Sequence, residues 1–61
     1  MNRTAYHAAR MNAANILRSL NCAKRSLDKV TNLDQRATLT AQVAALTAEY
    51  AEAQRIVRDL A

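Results

Sequence analysis

A chain of 61 residues with fourteen alanines and no glycine, proline, tryptophan or phenylalanine has room for one small domain, and predicts helix with almost no strand. The lack of glycine excludes the phosphate-cradling loops of nucleotide-binding proteins. No stretch approaches the roughly 18 to 20 apolar residues of a membrane span. Nine Lys or Arg against five Asp or Glu leave a net charge of +4, which favours an acidic protein surface or a nucleic acid as partner; no membrane and no small-molecule substrate is expected.

The first helix is expected from about Arg3 to about Lys29, with Asn2 or Thr4 as its N-cap. Apolar residues fall at Tyr6, Ala9, Ala13, Ile16, Leu20, Ala23, Leu27 and Val30, always three or four apart, which is the spacing of a helical seam. Lys24, Arg25 and Lys29 gather in its last turns, where cations complement the helix dipole.

A turn is expected at about residues 30 to 33. Two capping schemes compete there, Thr31 with Asp34 or Asn32 with Gln35, both resembling a capping box. Asn32 is preferred, and without a glycine it is also the residue that best tolerates a left-handed kink.

The second helix is expected from about Leu33 to about Leu60. Its stripe is Leu39, Val43, Leu46, Tyr50, Ala53, Val57 and Leu60. If Tyr6 is lettered a, an unbroken helix places an a at Asp34, whereas the second stripe requires one at Arg36. That phase slip predicts a fold-back in which residue i meets roughly residue 63 minus i. Large side chains then face small ones, Ala13 against Tyr50 and Ala23 against Leu39, with Ile16 against Leu46 and Leu20 against Val43.

The expected fold is therefore all-α: a single antiparallel two-helix hairpin over residues 1–61 with a heptad seam. One seam with many alanines buries little area, so the hairpin is expected to dimerise into a four-helix bundle. In length, turn position and heptad layout the chain resembles small plasmid copy-number regulators of the Rop type. That resemblance implies a dimeric bundle and binding of paired RNA loops, and it assigns no binding residue.

The outer faces of the two helices differ. On the second, Ala37, Ala41, Ala44, Ala48 and Ala51 form a row of small side chains at b and f, which is read as an oligomer interface; the alternative is a solvated face of good helix formers. On the first, Arg3, His7, Arg10, Arg18, Lys24 and Arg25 are read as the partner-binding surface. Residues 1–30 carry six Lys or Arg and one Asp, whereas residues 31–61 carry three and four acids, so the positive excess belongs to the first helix. Arg3 and Arg10 stand near the positive end of their own helix dipole, where helix stability alone disfavours them.

No catalytic chemistry is legible. His7 has no carboxylate at helical spacing to orient it, and no His or Cys at metal-ligand spacing. Cys22 lies at c, away from the seam, with no base beside it. The acids are scattered and mostly paired along their own helix, Asp28 with Lys24 and Glu52 with Arg55. No enzyme activity, cofactor, metal or small-molecule substrate is expected. A lone cysteine and the lack of an apolar leader point to a reducing cytoplasm.

The expected function is that of a small protein–protein interaction module, an adaptor or inhibitor that docks on a larger protein with an acidic surface. Its brevity suits a phage or other mobile element. The alternative is a dimeric regulator that binds duplex RNA or DNA through the basic face of the first helix; stacking on single strands is disfavoured because both tyrosines are seam residues.

Overall fold

The structure, a computed structural model, describes residues 3–61. It consists of two helices, α1 (Arg3–Lys29) and α2 (Leu33–Leu60), packed against each other. A 28-residue helix is about 42 Å long, which accounts for the 48 × 14 × 10 Å extent of the Cα trace. Of the two N-cap candidates for α1, Thr4 lies inside the helix, and Asn2 lies outside the described residues.

The reversal takes three residues, Val30, Thr31 and Asn32. Asn32 caps α2: its backbone is extended (φ −68°, ψ 127°) and its Oδ1 accepts the Gln35 N–H at 3.1 Å. The left-handed alternative is not taken, since no described residue has positive φ. The end of α1 is held instead by a side chain from across the turn. Arg36 Nη1 donates to the carbonyl oxygens of Leu27 (2.8 Å) and Val30 (2.9 Å), which satisfies acceptors that the helix end leaves open. Arg36, the phase marker of the second stripe, is thus a bracket between the two helices.

All fifteen residues of the two stripes are buried or half-buried. Ala13 and Tyr50 line one groove and Ala23 and Leu39 another, as the fold-back register requires. Every other described residue is exposed except Ala5 and Leu17, which flank the stripe on α1 and are half-buried.

The core itself is thin. The buried residues are Ala13, Leu20, Ala23 and Ala53, and no large side chain is fully buried. The chain exposes 4707 Å², whereas a compact monomer of its 6.7 kDa exposes about 3,900 Å². The surplus of about 800 Å² is the area that one partner contributes to a standard interface. The radius of gyration agrees: 14.2 Å against about 10.5 Å for a compact chain of this length.

Candidate interaction surfaces

The outer surfaces are built from the helical register. In an antiparallel pair the e positions of the two helices border one side of the seam and the g positions the other. Arg3, Arg10, Leu17 and Lys24 occupy e on α1, and Thr40, Thr47, Gln54 and Ala61 occupy e on α2. His7 sits at b, next to that flank. Arg18 and Arg25 sit at f, on the back of α1. The six basic residues singled out from the sequence are all exposed and span the neighbouring e, b and f positions, with Arg3, His7, Arg10 and Lys24 toward the e flank and Arg18 and Arg25 behind.

Charge pairing does not neutralise either group. Among the described residues only Arg55 forms ion pairs, with Glu52 and, at 2.8 Å, with Asp59. The hydrogen bond from the Arg55 guanidinium holds the Glu52 carboxyl below its usual pKa. The expected Asp28–Lys24 pair does not form. Order alone does not decide this, because Arg55 and Asp59 pair with the same base-first spacing. Arg10 places its guanidinium 5.9 Å from the ring centre of Tyr6, a cation–π contact that leaves the N–H edges free to donate.

On the e flank, near the chain termini, a groove runs between the helices. Ala13, Ala14, Leu17, Tyr50 and Val57 form its floor and walls, and Arg10 and Arg58 stand at its rims. By sequence Tyr50 is a seam residue and Arg58 a charge in the last turn of α2. The signal that adds them is the fold-back register itself, which brings the end of α2 beside the start of α1. Within the groove Gln54 Nε2 donates to the Tyr50 hydroxyl at 2.8 Å, so the phenolic proton remains to be donated.

The opposite flank differs in sign. Its groove at the same level contains Ile16, Glu49, Glu52 and Ile56, with Ile56 40% exposed. The alanine row Ala37, Ala41, Ala44, Ala48 and Ala51 is exposed along its whole length, with Ala51 and Ala48 at the edges of the two grooves. Cys22 is free and exposed. Among the described residues no three His, Cys, Asp or Glu come together in a way that could hold a metal ion, and no helix is long and apolar enough to cross a membrane. No protein-family model, curated protein or solved structure matches the chain.

Proposed function

We propose that this chain is a non-enzymatic interaction module, an adaptor or inhibitor that works by docking on a larger protein with an acidic surface, and that it does so as a homodimer. The observation that carries this reading is the thin core. A hairpin whose Ile, Val, Tyr and Leu seam residues stay largely half-exposed, and which shows about 800 Å² more surface than a compact chain, gains most by covering that surface with another protein. The exposed alanine row lets a second α2 approach closely and form a four-helix bundle, while the cations of α1 remain outside and free of ion pairs.

Light scattering at micromolar concentration is expected to give the mass of a dimer, and affinity capture from the native host to recover a protein partner. Ala44→Leu with Ala48→Leu is expected to break the dimer and leave the hairpin helical. A helical monomer, or a double variant that keeps both its mass and its partner, refutes the dimeric arrangement.

One observation supports a second reading, a regulator that binds duplex RNA or DNA. Arg18 and Arg25 lie on the back of α1, free of ion pairs among the described residues, and Lys24 stands beside them. Five or six phosphate contacts give a steep fall of affinity with salt. A titration of duplex RNA and duplex DNA across a salt series decides it, and absence of binding at low salt removes it.

A further inference from the structure

We propose that the basic-rimmed groove at the open end of the hairpin is the docking site for one amphipathic helix of a partner protein, a helix that carries carboxylates beside its apolar stripe. The proposal deepens the docking reading above and rests on it: it names the site and the kind of element that fills it.

Size comes first. From Arg10 to Leu17 the α1 wall rises about 10 Å, and from Tyr50 to Ala61 the α2 wall rises about 16 Å, at 1.5 Å per residue. That is two to three turns of helix, enough for apolar anchors at i, i+3 or i+4, and i+7. The floor suits a backbone that comes close, because Ala13, Ala14 and Ala51 project only methyl groups. Leu17, half-buried although it lies outside the seam, and Val57 supply larger apolar contacts.

Charge then selects the occupant. Arg10 and Arg58 stand on opposite rims, and neither has an ion-pair partner among the described residues. The Tyr50 hydroxyl, already an acceptor for Gln54, has its own proton to give. Three donors therefore line a groove that holds no acidic side chain. Carboxylates flanking an apolar stripe answer both features at once. A phosphate backbone answers the cations but leaves Leu17 and Val57 facing water, which favours a helix of protein over a nucleic acid. A second copy of this chain is less suited: its acidic flank, with Glu49 and Glu52, already spends Glu52 on Arg55.

The test uses the whole chain and a synthetic helical peptide of about 18 residues, long enough to hold some helix alone, with a leucine stripe flanked by glutamates. A matching peptide with lysines in place of the glutamates is the control, and fluorescence anisotropy gives both affinities. The glutamate peptide is expected to bind about tenfold or more tightly than the lysine peptide. Arg10→Glu with Arg58→Glu is expected to reverse that order. Arg18→Glu with Arg25→Glu makes the same change in net charge on the back of α1 and is expected to alter neither affinity by more than about twofold. Ala14→Trp, which fills the groove from an exposed position outside the alanine row, is expected to weaken the glutamate peptide about tenfold, with circular dichroism confirming that each variant is folded.

Equal losses from the two charge reversals overturn the groove and leave general attraction by a basic chain, so the docking reading survives. Equal affinity for the two peptides, or no binding of either, also overturns the groove; the docking reading is judged separately, by capture from the host. Duplex RNA or DNA that binds the chain, loses affinity on the Arg10/Arg58 reversal and excludes the peptide assigns the groove to nucleic acid instead. A dimer that Ala14→Trp dissociates assigns it to a second copy.

Discussion

Replacing Arg36 by alanine removes the two hydrogen bonds that tie the end of α1 to the start of α2. The turn has only three residues and no glycine, so the open carbonyls of Leu27 and Val30 lose their one side-chain donor and fall back on water. A hydrogen bond from a charged donor contributes roughly 1.5 to 3 kcal/mol where water is excluded. Arg36 is exposed and water replaces part of that, which leaves an expected loss of about 1 kcal/mol. For a chain near 60 residues this lowers Tm by about 4 to 8 °C. Thermal unfolding followed by circular dichroism at 222 nm, at fixed protein concentration, reads it. Arg36→Lys keeps the charge near the negative end of α1 but offers a point donor in place of a planar fork. It is therefore expected to recover only a few tenths of a kcal/mol. An alanine variant that melts within about 1 °C of the parent refutes the bracket. A lysine variant as stable as the parent shows that charge, and not the two-carbonyl geometry, is what matters.

Asn32→Ala removes the acceptor for Gln35 N–H and is expected to cost about 1 kcal/mol, whereas Asn32→Gly is expected to cost only a few tenths; equal Tm values for all three chains overturn the cap. Because Arg55 lowers the Glu52 pKa in the folded chain, that pair supports the fold above pH 4.5, the ordinary value, and its support is lost as pH falls through the lowered one. Helix content followed down an acid titration is expected to fall less steeply in Glu52→Gln than in the parent, and identical acid limbs refute the coupling. Gln54→Glu places a carboxylate in the groove that Arg10 lines, and is expected to raise Tm by a few degrees through an exposed pair worth about 0.2 to 1 kcal/mol. It is also expected to weaken capture of the glutamate peptide, and unchanged values of both deny that Arg10 is available to a carboxylate.

Periodicity exposed the hairpin because burial follows it: every stripe residue from Tyr6 to Leu60 lost surface. The a and d letters see only the centre line of the contact, however. Leu17, one step outside it at e, is half-covered all the same, since an apolar face is wider than a two-letter stripe. Arg36 escaped for a different reason. Its partners are backbone carbonyls six and nine residues earlier in the chain, and acceptors carried by every residue leave no mark in a side-chain pattern. Spacing alone also predicted a Lys24–Asp28 pair as readily as Glu52–Arg55. Only the one with the acid first forms, and it forms where a second acid, Asp59, holds the same guanidinium. The basic surface of α1 has all six of its residues exposed. Its division into a flank beside α2 and a back face became visible only when the fold-back set which side of α1 borders the second helix.

That division explains why the hairpin keeps unpaired charge. Antiparallel packing sets e against e, so Arg3, Arg10 and Lys24 border Thr40, Thr47, Gln54 and Ala61, none of which has an acidic side chain. Thr40 and Thr47 turn their hydroxyls back to the carbonyls of Arg36 and Val43 at 2.7 Å, which spends their protons within their own helix. Gln54 spends an amide proton on Tyr50. The acids of α2 that could have neutralised the cations, Glu49, Glu52 and Asp59, stand at g and c on the other side of the seam, and Arg55 already engages two of them. Exchanging Glu49 and Gln54 would bring one of these acids to the basic flank. The arrangement present instead costs α1 a little at its own N-terminal end and leaves Arg3, Arg10 and Lys24 without an ion pair among the described residues, which is the condition an external carboxylate-bearing surface requires.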